Sequence, residues 1–108
     1  MALACIFNWL ILSIDISTAF LNAKIDEDVY MNPGKGFGHQ PGYVWKLLKG
    51  LYGTCQAGRA WWKHFDKWIK SDPECKPCTV DPCVYVFTCS KTHKWFVIIL
   101  LYVDDIIS

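Results

Sequence analysis

Residues 95–107 read WFVIILLYVDDII, and this stretch decides the fold. An unbroken apolar run rich in Ile and Leu is typical of a strand in the middle of a sheet, where both faces are covered. The run stops at Asp104 and Asp105, and the apolar residues Ile106 and Ile107 follow. The pattern therefore predicts a central strand, a tight turn that carries two carboxylates, and the start of another strand.

Two further strands are predicted from the residues around this run. Residues 83–87, CVYVF, are β-branched or aromatic and predict a strand, and the polar residues 90–94, SKTHK, predict the turn that joins it to the central strand. Near the N-terminus, residues 10–14 are rich in Ile and Leu and predict a buried strand that ends at Asp15.

The segment between residues 16 and 43 is expected to hold few regular elements. Residues 16–21 predict a short helical or turn-like piece, with Ser17 and Thr18 suited to capping it. Residues 22–43 are dense in Gly and Pro, which argues against a long regular element, and only residues 29–31 predict a brief strand.

One amphipathic helix is predicted over residues 57–70. The apolar residues recur at a spacing of three to four, namely Trp61 and Trp62, Phe65, and Trp68 and Ile69. We interpret this aromatic row as core packing against a sheet. Asp72-Pro73 is expected to end the helix. The order of elements predicts an α+β fold, a helix packed on a small antiparallel sheet, compatible with a ferredoxin-like core.

Length and composition restrict the class of protein. The chain has 108 residues, enough for one domain, and its 53% hydrophobic content excludes a disordered chain. The net charge of +1 argues neither for nor against a nucleic-acid partner. Residues 46–70 are nevertheless basic with a single acid among them. Taken alone, this segment favours a solvated helix face over a phosphate-binding surface.

Six cysteines invite a zinc or disulfide interpretation. Cys75 and Cys78 have ligand-like spacing, and Cys83 and Cys89 follow. No second C-x-x-C is present and no His stands at a familiar spacing, so free thiols are favoured over a zinc site. Whether these four cysteines bind anything stays open.

The apolar N-terminal stretch predicts neither secretion nor a membrane span. It lacks a basic leader and a cleavage site, and it is too short to cross a bilayer. We therefore expect an intracellular protein without a membrane partner.

The carboxylates suggest metal chemistry. Asp15 ends one apolar strand and Asp104-Asp105 follow another, so the three can meet at one edge if both strands share a sheet. Like charges so close repel each other, and a divalent cation offsets the repulsion; Mg²⁺ prefers a few carboxylates, waters and phosphates. Two such ions can stabilise both the attacking and the leaving oxygen of a nucleotidyl transfer.

Six segments, in this order, resemble the motifs of copia-type reverse transcriptases. They are IDISTAFLN at residues 14–22, VYM at 29–31 with Gly36-Phe37, VWKLLKGLYG at 44–53, QAGRAW at 56–61, DPCVY at 81–85 and LYVDDI at 101–106. Together they cover nearly the whole chain. One departure is Gly58, which stands where the family has Pro.

The resemblance implies an RNA-directed DNA polymerase that holds two Mg²⁺ ions, with Mn²⁺ as a possible substitute. The implied catalytic residues and metal ligands are Asp15, Asp104 and Asp105. The implied nucleotide-binding residues are Ile16, Phe20, Tyr52, Gly53 and Gln56, with the Phe20 ring as a steric gate under the sugar. Tyr102 would approach the primer, and we expect nucleic acid to be bound by Lys46, Lys49, Arg59 and Lys63.

The resemblance also implies partners and boundaries. The partners would be an RNA or DNA template with its primer, deoxynucleoside triphosphates and the remainder of a polyprotein, in a cytoplasmic particle or the nucleus. Residues 1–108 are expected to form a partial domain, a palm core with part of the fingers and without the thumb and ribonuclease H, and to be inactive in isolation. The alternative is a decayed or domesticated remnant, acting at most as a nucleic-acid-binding or interaction module.

Overall fold

The computed structural model describes residues 2–38, 41–88 and 95–108. In chain order the elements are α1 (Ala2–Phe7), β1 (Ser13–Asp15), a 3-10 helix (Ala19–Asn22), β2 (Lys24–Met31), β3 (Trp45–Lys49), α2 (Cys55–Ile69), β4 (Cys75–Pro77), β5 (Val84–Thr88), β6 (Phe96–Tyr102) and β7 (Asp105–Ile107). The predicted α+β class with antiparallel sheets is confirmed. No helix within these ranges is long and apolar enough to cross a membrane.

The main sheet has five antiparallel strands in the order β1-β7-β6-β5-β4. The predicted central strand is β6, which pairs with β5 on one side and β7 on the other. The predicted strands before and after it are also confirmed. The turn predicted at residues 90–94 lies outside the described residues.

Helix α2 confirms the predicted amphipathic helix and its core-packing face. Ala57, Trp61, Phe65 and Ile69 are buried at intervals of four residues and form the inner face. This face packs with buried Tyr85 of β5 and Leu101 of β6. The prediction was wrong for Trp68, 65% of whose surface is exposed, because it lies to one side of the line through Phe65 and Ile69. The helix begins at Cys55, two residues earlier than predicted, and ends at Ile69, just before Asp72-Pro73.

The prediction of a loop-rich segment over residues 22–43 was wrong in part. Strand β2 has eight residues and pairs with β3 in a separate two-stranded sheet, with Val29 opposite Leu47. Its acidic sequence lacks the apolar alternation that marks a half-buried strand, because much of the strand is exposed. Strand β4 was also missed, since it is a three-residue edge that contains Pro77.

The predicted buried strand at residues 10–14 was wrong in length and burial. Strand β1 has three residues, all exposed, and 81% of Leu10 and 53% of Ile14 are open to solvent. The physical reason is position, since β1 is an edge strand and α1 contributes no buried residue. Thr18 does precede the short helix, but with a φ of 56° and without a capping side-chain hydrogen bond.

Few side chains are buried for a chain of this length. The buried hydrophobic residues of the described ranges are Ala19, Ala23, Ala57, Trp61, Phe65, Ile69, Tyr85 and Leu101. The radius of gyration is 18.6 Å, whereas a compact domain of this size has about 13 Å. The fold is therefore elongated, and its buried core lies where α2 meets the sheet and the 3-10 helix.

Gly50 joins the two-stranded sheet to the 3-10 helix. Its N–H donates to the carbonyl of Ala23 at 2.9 Å. A Cβ at Gly50 would lie 2.6 Å from the carbonyl oxygen of Phe20, a backbone atom that cannot rotate away. Only glycine permits this close approach.

We expect Gly50→Ala to lower the free energy of unfolding by about 1–3 kcal/mol, because the backbone must shift to relieve the clash. Gly58→Ala is the matched control, since this helical glycine has open space around its Cβ position. It should raise stability by about 0.5–1 kcal/mol. Urea denaturation measures both, and equal effects of the two substitutions would contradict the close-packing argument.

Candidate active site

The register between β1 and β7 brings the predicted carboxylates to one edge of the sheet. Asp15 lies directly opposite Asp105, after the pairs Ser13–Ile107 and Ile14–Ile106. Directly opposed residues of an antiparallel pair point to the same face, with Cβ atoms about 4.5–5.5 Å apart. The strands that carry Asp15 and Asp105 share a sheet, which is the condition under which the carboxylates were predicted to meet.

The connecting turn is short and held from two sides. Tyr102 pairs with Asp105, so Val103 and Asp104 form the whole turn between β6 and β7. The N–H of Ile16 donates to the carbonyl of Asp104 at 2.8 Å. The indole Nε1 of Trp61 donates to the carbonyl of Val103 at 2.5 Å. The turn is thus tied to β1 and to α2.

Val103 has a φ of 58°, in the left-handed region. Two-residue hairpin turns favour such angles, usually with Gly, Asn or Asp. A β-branched residue seldom adopts them, because its Cβ crowds the backbone. This turn therefore depends on its surroundings to keep its shape.

Two aromatic rings stand beside the turn. The Tyr52 hydroxyl lies 3.5 Å from Oδ2 of Asp104, at the long end for a hydrogen bond. The Phe20 and Tyr52 rings pack with their centroids 4.4 Å apart. These contacts place two predicted nucleotide-binding residues next to a predicted metal ligand.

The pKa of Tyr52 is raised above its ordinary value. The causes are partial removal from water, then the charge of Asp104 and the hydrogen bond to it, then the charge of Asp15. All of these disfavour the tyrosinate form. The charges of Asp15 and Asp104 both raise the pKa of Tyr52, so the three side chains lie in the same region of the molecule.

The remaining predicted nucleotide and primer residues lie at the start of α2, just before it, and beside the turn. Gly53 has a φ of 91° just before α2 begins. Gln56, in the first turn of α2, lines a cleft of about 340 Å³ together with Arg59 and Lys63. Tyr102 is 74% exposed and adjoins the turn.

The predicted nucleic-acid-binding residues fall into two groups. Lys46 pairs with Asp28 at 2.6 Å, and Lys63 pairs with Asp26 at 3.1 Å. The pairing with Asp28 raises the pKa of Lys46 through their hydrogen bond and opposite charges. Lys49 and Arg59 form no ion pair with any residue of the described ranges.

A second cleft, of about 390 Å³, joins the predicted residues Lys49 and Lys63 with three basic residues that were not predicted to bind nucleic acid, Lys24, His64 and Lys67. Lys24 and Lys49 are direct cross-strand partners in the two-stranded sheet. Like charges in that relation repel each other, and a bound anion would remove the repulsion. Only the pairing of β2 with β3 reveals this arrangement.

The candidate metal ligands of the described residues do not form a complete coordination site. Across residues 2–38, 41–88 and 95–108, no group of three or more His, Cys, Asp or Glu side chains is close enough to hold an ion. Cys75, Cys78 and Cys83 are free thiols, and Cys89 lies outside those ranges. The backbone brings the aspartates to one edge of the sheet, but their side chains are not gathered around a common point.

Comparison with known proteins agrees with the motifs. Residues 1–108 match the family model described as reverse transcriptase (RNA-dependent DNA polymerase). The chain belongs to the reverse transcriptase family. Its relatives assign it to the copia type, with transposon Pol polyproteins of plants and yeast among them. No solved structure matches.

Three relatives illustrate the range of this reverse transcriptase group. The retrovirus-related Pol polyprotein from transposon TNT 1-94 of Nicotiana tabacum is 42% identical over 87% of the chain and 7% of the relative. That of transposon RE1 of Arabidopsis thaliana is 35% identical over 93% of the chain and 7% of the relative. The Ty1-NL2 Gag-Pol polyprotein of Saccharomyces cerevisiae is 31% identical over 99% of the chain and 6% of the relative. The chain thus spans a small part of each polyprotein.

The Tyr52 environment leads to a prediction. Asp104→Asn should lower the pKa of Tyr52, because it removes the carboxylate charge while the partial loss of water remains. Isotope-labelled tyrosine followed by NMR over an alkaline titration measures it. Asp81→Asn is the control and should leave this pKa unchanged. An unchanged Tyr52 pKa in Asp104→Asn would mean that the two side chains are not neighbours.

Proposed function

We propose that this chain forms the metal- and nucleotide-binding part of a retrotransposon RNA-directed DNA polymerase, a palm core with part of the fingers. The observation that carries the proposal is the register that sets Asp15 opposite Asp105, with Asp104 in the adjoining turn. A helix packed on an antiparallel sheet supports the palm assignment and its ferredoxin-like character.

The donor set fits magnesium. Asp15, Asp104 and Asp105 offer hard carboxylate oxygens, and these side chains would hold two Mg²⁺ ions, or Mn²⁺ in their place. When bound, the ions would make the primer hydroxyl a better nucleophile and pyrophosphate a better leaving group. The protein supplies a sheet edge at which β1 and β7 hold Asp15 opposite Asp105.

The aromatic pair supports a role in nucleotide selection. The packed rings of Phe20 and Tyr52 form a wall beside the carboxylates. A nucleotide whose phosphates approach the metal site would set its sugar against this wall, where Phe20 leaves no room for a ribose 2′-hydroxyl. The Tyr52 hydroxyl lies 3.5 Å from Oδ2 of Asp104, and Gln56 and Arg59 line a cleft of about 340 Å³ at the start of α2.

We also propose roles for Ile16, Gly53 and Tyr102, and each is supported by one structural observation. The Ile16 N–H is already bonded to the Asp104 carbonyl, so its contribution near the triphosphate would come from its position and its own carbonyl. Gly53 provides the turn into α2 through its positive φ. The exposed ring of Tyr102 is suited to contact the primer.

The decisive test is metal-dependent nucleotide binding by the purified chain. We expect Mn²⁺, followed by electron paramagnetic resonance, to bind the chain and to promote binding of a deoxynucleoside triphosphate. Asp104→Asn should abolish both, because one ligand is lost. Glu27→Gln, which removes an exposed acid of β2, should change neither.

Two outcomes count against the proposal. Absence of Mn²⁺ binding by the wild-type chain would favour the alternative, a non-catalytic remnant. Equal losses in Asp104→Asn and Glu27→Gln would mean that the ion is held by general surface charge. Primer extension by the isolated chain should not be appreciable, because affinity for nucleic acid follows the number of phosphates neutralised and the chain spans only 7% of the TNT 1-94 polyprotein.

The basic cleft gives a separate prediction for nucleic-acid binding. Lys49→Gln should weaken binding of an RNA–DNA hybrid and reduce the salt dependence by about one counterion, because it removes an unpaired cation of the cleft. Lys46→Gln on the same strand is the control and should have a smaller effect, since Asp28 already neutralises that lysine. Fluorescence anisotropy over a salt series measures both. Equal effects would exclude the cleft as the preferred phosphate contact.

A further inference from the structure

We propose that Trp61 is a positioning residue for the catalytic turn. Its indole N–H holds the carbonyl of Val103, and this bond keeps the turn in the conformation that presents Asp104 and Asp105 at the sheet edge. The metal-binding consequence rests on the proposed function, whereas the effect on the turn does not. Sequence reasoning assigned Trp61 only to core packing.

Trp61 is held rigidly. Only 5% of its surface is exposed, and its ring packs against Phe65 with centroids 5.8 Å apart and against His64 at 6.0 Å. It lies inside the 15-residue helix α2. A buried indole N–H requires an acceptor, and here the acceptor lies 42 residues away in the chain. The bond therefore connects a fixed helix to a distant turn.

The turn needs such support because of Val103. Its positive φ is costly for a β-branched side chain, and strained residues persist only where neighbouring structure holds them. Two consecutive carbonyls are restrained from opposite sides. Trp61 of α2 binds the carbonyl of Val103, and Ile16, next to β1, binds that of Asp104. The backbone at Asp104 is thus held on both sides, and this sets the direction in which its side chain leaves the turn.

The neighbouring Trp62 provides a matched control. Its indole Nε1 donates to the carbonyl of Pro82 at 3.4 Å, so it also joins α2 to a loop. That loop precedes β5 and is not the catalytic turn. Trp61→Phe and Trp62→Phe each keep an aromatic ring and delete one indole N–H, but only the first deletes a bond to the turn.

The experiment compares these two variants with the wild-type chain. Urea denaturation first establishes that both are folded. We expect Trp61→Phe to shift the amide NMR signals of residues 102–105, to speed their hydrogen exchange and to weaken Mn²⁺ binding by about tenfold. Trp62→Phe should leave the turn signals and the Mn²⁺ affinity unchanged. A purely structural role of Trp61 in the core would lower stability without these selective changes.

Val103→Gly makes the test independent of ring packing. Glycine adopts the positive φ without strain, so the turn should no longer need the indole bond. Trp61→Phe should then have a smaller effect on the turn signals in the Val103→Gly background than in the wild type, a coupling that a double-mutant cycle measures. Additive effects, or turn signals in Trp61→Phe that match those in Trp62→Phe, would overturn the proposal.

The proposed function and the positioning role fail in different ways. Wild-type protein that binds no Mn²⁺ would refute the metal site, and the turn signals would still decide the role of Trp61. Wild-type protein that binds Mn²⁺ with an affinity unchanged by Trp61→Phe would refute positioning and retain the metal site.

Discussion

The antiparallel ladder between β1 and β7 is the constraint on which the site depends. Backbone bonds between Leu12 and Ser108, at 2.7 and 2.9 Å, continue the ladder beyond the last paired residues. A slip of one residue would turn every side chain of β1 to the other face, so Asp15 and Asp105 would no longer share a surface. The apolar pair Ile14–Ile106 and these backbone bonds hold two like charges together.

Different faces of helix α2 contact three parts of the molecule: the core, the two clefts and the turn. Its inner face forms the core with Tyr85, whose hydroxyl donates to Asp66 at 3.0 Å while Lys70 binds the same carboxylate at 2.7 Å. Its basic face lines the two clefts, and Trp61 reaches the turn. Burial and the Asp66 hydrogen bond raise the pKa of Tyr85 far above its ordinary range, which keeps this central phenol neutral.

The sequence predicted what depends on local patterns and missed what depends on pairing over distance. The unbroken run before Asp104 predicted β6, and the spacing of Trp61, Phe65 and Ile69 predicted α2. The acidic strand β2 has no such pattern, because its exposed charges are matched by lysines of β3 and α2. In the candidate site, too, local patterns were predicted and long-range contacts were not. Asp15 and Asp104 were found from strand ends, whereas Lys24 and the bond of Trp61 become visible only after folding.

The two edge strands of the main sheet, β1 and β4, differ in how readily a further strand could pair with them. Strand β4 contains Pro77, which lacks an N–H donor and therefore discourages a further strand. Strand β1, at the opposite edge, exposes Ile14 beside Leu12 and Leu10. A net charge of +1 gives little repulsion between molecules. A further strand would therefore pair more readily at the apolar edge that carries Asp15 than at the edge that contains Pro77. The three-residue strand that positions a carboxylate of the candidate site is thus also the less protected edge of the sheet.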